Sequence, residues 1–180
     1  MSVCIGSVEQ KQSSLSKQML ICLMANLIIV LSGQVALPLP FTPVPVCLQS
    51  SVILLMAALL GSKRGFCVTL AFLLEGAMGF PVFAKGAGSI AVFLGPTGGY
   101  LIGYLFASYL TGWLMERSRK TNLQAFYALG AGTCLILLCG AFHLSFFLGV
   151  KGALLLGVLP FIAGDLLKIF LSIKLLKWNR

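Results

Sequence analysis

Acidic side chains are almost missing from this 180-residue chain, which has four Asp and Glu in all and a single His. Charged residues of both signs make up 9% of it, where a soluble domain carries about 25%. With 59% hydrophobic residues against about 45–50% in such domains, that scarcity excludes a solvated globule and a disordered tail. There is no Walker-type phosphate loop, no HExxH and no GxSxG. The cysteines at 4, 22, 47, 67, 134 and 139 contain no CxxC and no His partner at ligand spacing. Inside apolar runs such thiols behave as small hydrophobes. The lone His143 reads as a packing or interfacial residue, so zinc, haem and nucleophilic catalysis find no support.

What is present is apolar sequence in long runs, with a mean hydropathy of +1.03. The 13 Lys and Arg, which give a net charge of +9, flank those runs and do not gather on one face, so nucleic acid is not the expected partner. At roughly 20 apolar residues per membrane-spanning helix, the chain holds at most about six or seven spans. The expected organisation is a single transmembrane domain over 1–180, with a polar cytoplasmic N-terminal segment over 1–16. Met1 to Lys17 lacks a signal peptide's apolar core and cleavage site, so the first span is read as retained.

Charges, Gly and Pro cut six apolar segments. They run from about Lys17 to Leu37, Val46 to Gly61, Gly65 to Phe80, Ile90 to Met115, Leu123 to Val150, and Gly152 to Trp178, with Gly157 and Pro160 marking a break or late start in the last. Ten Lys and Arg then fall in the termini and even-numbered connections, from Lys11 to Arg180, against two, Lys85 and Lys151, in the odd ones. The positive-inside rule places both termini in the cytoplasm. The class expected is all-α: a polytopic membrane protein of six transmembrane helices in one bundle.

Two outer connections are uncharged or nearly so. Pro38 to Pro45 carries four prolines and cannot be helical throughout. Pro81 to Gly88 is similarly irregular. Both read as loops folded back to line a cavity, with plain hairpin turns as the alternative.

Few residues are able to carry chemistry. Asp165 and Lys168 are three apart on one helix face, and each charge within a span costs roughly 2.5–3.5 kcal/mol. A self-neutralised structural pair is one reading; a polar clamp on a bound solute is the favoured one. Glu75 is an interfacial residue, a partner for Lys85, or a titratable site. Lys85 is either solvated or presents its ammonium to an anionic ligand group. Gly95 to Tyr100 lacks the Lys of a phosphate loop and reads as packing with a local kink at Pro96, since Gly99 and Gly103 give small-xxx-small spacing.

Four blocks occur in order: Thr42–Gln49 (TPVPVCLQ), Gly76–Ala84 (GAMGFPVFA), Leu94–Tyr100 (LGPTGGY) and Gly164–Lys168 (GDLLK). As a set, over about Leu20 to Lys168, they resemble the BioY family, the biotin-binding S components of energy-coupling factor (ECF) transporters. The resemblance implies a bacterial cytoplasmic (inner) membrane protein, not an enzyme, that captures biotin from the outer side and uses no cofactor. Its partners would be biotin, the lipid bilayer, an ECF transmembrane coupling protein and ABC-type ATPases. Asp165 and Lys168 match the family's Asp and Lys, which would hydrogen-bond biotin's polar groups. Gln49 matches its Gln after the TPVP segment, Phe83, Ala84 and Gly86 match the loop over the ligand, and Tyr100 ends the GPTGGY block.

Two departures stand out. Some members carry an Arg in the Gly-rich loop where this chain has Ala87, which leaves Lys85 as the cation for a carboxylate. The Ala-xxx-Ala pattern used on the first helix for docking corresponds here to Asn26 and Val30. The competing readings are a ligand-free structural or assembly subunit and a membrane enzyme using Asp165 or Glu75. The enzyme lacks a nucleophile and base at a recognisable spacing.

Overall fold

A computed structural model describes residues 2–37, 44–117 and 121–178. Its helices are α1 (Ser2–Gln34), α2 (Gln49–Leu60), α3 (Ser62–Ala77), α4 (Ala91–Leu94), α5 (Gly98–Glu116), α6 (Asn122–Gly157) and α7 (Leu159–Trp178). Among the described residues the fold is all-helical apart from a two-residue antiparallel pairing, β1 (Ala36–Leu37) with β2 (Val46–Cys47). Six long helices are present, as the apolar segments predict, and α4 is a single turn.

The departures from the predicted segments follow from Pro and Gly. The fourth segment is not one helix. Gly95, before Pro96, is extended (φ −80°, ψ 177°), because the proline ring disfavours a helical residue ahead of it. The last segment takes its late start: the helix re-forms at Leu159 with Pro160 in its first turn, where a missing N–H costs nothing. Before it, Gly149 (φ 70°) interrupts α6 close to the predicted end of the fifth segment. At the other end, α1 begins at Ser2, well before Lys17.

Polarity is arranged inside out. Leu23, Phe142, Phe146 and Leu167 lie on the surface, while Gln49, Thr69, Ser108 and Thr111 are buried. Two stretches, Ser16–Gln34 and Asn122–Leu176, are long and apolar enough by themselves to cross a membrane. A large apolar exterior around a polar-flecked interior suits lipid as the solvent. Inside, small residues let the helices approach: a Cβ on Gly99 or Gly103 would meet the α6 backbone and side chains around Ile136, Cys139 and His143. His143 Nε2 is 3.1 Å from the Gly95 carbonyl oxygen, so this histidine holds the break between α4 and α5.

Glu75 accepts a 2.7 Å hydrogen bond from Asn26 Nδ2. Its partner is therefore α1, and it makes no ion pair with Lys85. Asn26 is 7% exposed and turned into the bundle, so it does not stand on an outward docking face.

Helix α3 follows Gly61 (φ 87°) with no cap from its own side chains. Glu116, at the end of α5, supplies one in trans: its two carboxylate oxygens accept from Ser62 N–H and Ser62 Oγ–H, each at 2.8 Å. A negative charge there also suits the helix dipole. The Ser62 hydroxyl, then its backbone N–H, hold the Glu116 carboxyl below its ordinary value of 4.5. The stabilisation is thus full above about pH 4.5 and is lost as the pH falls through the lower folded value. Glu116→Gln is expected to lower the unfolding midpoint at neutral pH, with the gap to the parent closing on acidification. A gap that stays constant with pH, measured by thermal unfolding in detergent, would refute this charge-based cap.

Candidate functional site

Helices α2 and α3 have 12 and 16 residues, short of the roughly 20 that a bilayer needs. The space beyond Gln49 and Ala77, at the end of the bundle where α2, α5 and α7 begin, is filled by irregular chain. The segment 44–48 and the turn around Ala84–Gly86 fold over it. A cavity of about 280 Å³ lies beneath, near the lower edge of the ~300–1,000 Å³ usual for small-molecule sites. The expectation that the outer connections fold back is met by Pro81–Gly88 and by Val44–Pro45; residues 38–43 lie outside those described.

Its polar floor comes from α7. Lys168 Nζ lies 3.0 Å from Asp165 Oδ1 and donates at 2.9 Å to the carbonyl oxygen of Cys47 in β2, just ahead of α2. Both side chains are largely buried, at 10% and 13% exposed, yet both line the cavity. The structural pair and the ligand-facing group are the same two residues. An ammonium has three N–H donors, of which these contacts use two.

Aromatic walls surround the pair. Phe83 (2% exposed) packs edge-on against Phe72 and Phe93 at centroid distances of 5.4 and 5.6 Å. Its ring lies over Gly76, where any side chain would collide with it. Tyr100 stacks obliquely on Phe161 and donates its hydroxyl at 2.7 Å to the Gly157 carbonyl, which α6 leaves free as it ends. Gln49 (1% exposed) lines the cavity while its Nε2 donates to Val82 O at 3.1 Å and Ile29 O at 3.4 Å. One amide thus ties the loop at Val82 to α1.

Seven of the eight predicted residues converge: Gln49, Phe83, Ala84, Lys85, Tyr100, Asp165 and Lys168 all line the cavity. Gly86 does not. With φ 72° it completes the tight turn, its N–H donating at 3.0 Å to Phe83 O, and so shapes the loop without facing the cavity. Lys85 also takes a left-handed backbone (φ 61°), a cost that is usually met only at a constrained site. Sequence reasoning missed Tyr104, Thr97, Cys47, Thr133 and Phe161. Tyr104 lies one helical turn from Tyr100 and was findable from that spacing. Thr133 had no local signal, since only the packing of α6 brings it to the wall.

An inside-out helical bundle around a loop-covered cavity with a charged floor defines a membrane-embedded small-molecule-binding protein. The BioY family profile matches residues 8–178, and the chain belongs to that family. It is 38% identical over 136 residues to the biotin transporter BioY of Thermotoga maritima, covering 74% of this chain and 79% of that protein. Its identity to the biotin transporter BioY of Rhodobacter capsulatus is 37% over 166 residues, covering 85% and 87%. The crystal structure of the S-component for biotin from an ECF-type ABC transporter superposes with a TM-score of 0.85 at 31% identity, covering 93% of both chains.

Removing one partner of a buried ion pair strands the other. Lys168→Met is expected to cost about 3 kcal/mol of stability without ligand, and Asp165→Leu combined with it should recover most of that loss. A double variant no more stable than Lys168→Met, by thermal unfolding in detergent, would refute the coupling.

Proposed function

We propose that this protein is a biotin-uptake S component of an ECF-type transporter, which binds biotin in the cavity floored by Asp165 and Lys168. The observation that carries the reading is this pair at the base of an aromatic-lined pocket, in a chain of the BioY family. Biotin's ureido ring has two N–H donors and one strong acceptor. The Asp165 carboxylate is suited to accept from the ring N–H, and the third N–H of Lys168 to donate to the ureido oxygen. Phe83, Phe161 and Tyr104 offer apolar surface to the thioether ring. Lys168 is engaged by Asp165 and Cys47, so Lys85 is the cation left for the carboxylate; it has no ion-pair partner among the described residues. As a point charge it holds a carboxylate with less geometric constraint than an Arg.

The bundle sits in the bacterial inner membrane with six spans and both termini cytoplasmic, a reading supported by the asymmetry of Lys and Arg. The whole of 1–180 forms a single transmembrane domain, and the cavity then opens to the outside. Biotin enters there, and the loops around Pro45 and Ala84 close over it. Gln49 holds Val82 in place as they do so. Release to the cytoplasm is driven by a transmembrane coupling protein and ABC-type ATPases, since the chain itself has no nucleotide-binding motif. The protein is a carrier and not an enzyme.

Biotin at a thousandfold excess over its dissociation constant stabilises the native state by about 4 kcal/mol. The parent should therefore show a large rise in thermal midpoint with biotin, absent in Asp165→Asn and Lys168→Ala. A well-folded parent without a shift overturns the assignment. Lys85→Ala should weaken biotin about tenfold but leave biotin methyl ester unchanged, as read by competition binding. Equal effects on acid and ester would remove Lys85 from the carboxylate site.

A further inference from the structure

A second hollow lies away from the cavity, on the outer surface of the bundle. It is a groove of about 460 Å³ between α1 and α2. On α1, Leu20, Met24 and Ile28 recur at every fourth residue and form one stripe, 60%, 49% and 42% exposed. Met56, Leu59 and Leu60 face them from α2. At 1.5 Å of rise per residue the stripe is about 12 Å long and runs along the helix axes. The groove is therefore oriented as an acyl chain lies in a bilayer.

One end of the groove is basic. Lys17 stands one turn before Leu20, and Lys63 and Arg64 follow Leu60 through the Gly61 turn, so all three reach the same level of the bundle. All are exposed, and none belongs to an ion pair among the described residues, where Asp165–Lys168 is the only one. The carboxylate at this end, Glu116, is occupied by Ser62, with Lys63 the cation nearest its field. Lys17 and Arg64 have no ion-pair partner among the described residues, and with α1 and α2 spanning the bilayer as proposed they stand at the level of the phospholipid phosphates.

We propose that this groove seats one anionic phospholipid, its acyl chain along Leu20, Met24 and Ile28 and its phosphate among Lys17, Lys63 and Arg64. An apolar groove alone accepts any acyl chain. The cations at its mouth supply the selectivity, because each Lys or Arg near an anionic headgroup adds about fivefold to its retention. A second copy of the chain, or an apolar partner helix, fills the groove but leaves those cations unsatisfied.

The test is native mass spectrometry of the full chain extracted from nanodiscs of equal phosphatidylcholine and phosphatidylglycerol. The parent should retain one phosphatidylglycerol in preference to phosphatidylcholine by more than tenfold. Lys17→Gln/Lys63→Gln/Arg64→Gln should abolish the preference, and Met24→Trp, which fills the groove with the charges intact, should lower retention of the lipid. Lys174→Gln/Lys177→Gln, which removes basic charge from the end of α7, should leave the preference unchanged. Equal retention of the two lipids by the parent overturns the proposal. So does an equal loss in the α7 variant, which would mean general surface attraction, or a lipid-free dimer in place of the lipid-bound monomer. Monodispersity and an unchanged thermal midpoint of each variant separate a lost site from a lost fold.

Discussion

The ammonium of Lys168 is the contact on which the cavity half of the molecule depends. In a medium that offers no water, an isolated charge is not tolerated, so this one is shared between Asp165 on its own helix and the carbonyl of Cys47, just ahead of α2. Asp165 neutralises the lysine, and the bond to Cys47 fixes where α7 sits against the chain that leads into α2. It also supplies a donor for a backbone problem: the chain around Cys47 is not yet helical, and its carbonyl needs one. A ligand-facing pair placed there is held by structural necessity, which keeps it oriented before any ligand arrives.

The cavity itself follows from helices that stop early. Helices α2, α3 and α5 leave a volume at one end, and Pro and Gly prevent the connecting chain from continuing them. Irregular backbone at that depth survives only where it is covered and hydrogen-bonded. Gln49 meets part of that demand by donating to two main-chain carbonyls, and Tyr100 does the same for the carbonyl that α6 abandons at Gly157. The cavity lining and the scaffold of the loops are therefore largely the same side chains.

The opposite end is built differently. There Glu116 caps α3 from the end of α5, closing a tight junction at Gly61 and Ser62 with a charge-assisted contact. One end of the bundle is thus fastened by a carboxylate cap between two helices, while the other is spanned by irregular chain held by its own turns, among them Phe83 N–H to Ala87 O at 2.9 Å and Gly86 N–H to Phe83 O at 3.0 Å.

Much of this was legible in the sequence. Hydropathy and Lys/Arg placement indicated a helical membrane bundle, because lipid imposes long apolar runs and confines charge to their ends. The unusual Asp165 and Lys168 marked themselves by their cost, and the ordered TPVP, GFPVFA, GPTGGY and GDLLK blocks pointed to one family. What the sequence left open required distances between residues far apart in the chain. Glu75 had three candidate roles until Asn26, 49 positions away, proved to be its donor. Gly86 looked like a lining residue, yet its backbone angle makes it the hinge of a turn. Thr133 joined the wall only through the packing of α6 on α5. Periodicity and composition record what each segment must face, apolar solvent or interior. Which interior neighbour it meets is decided by the rotation and depth of whole helices against each other, and only the tertiary structure fixes those.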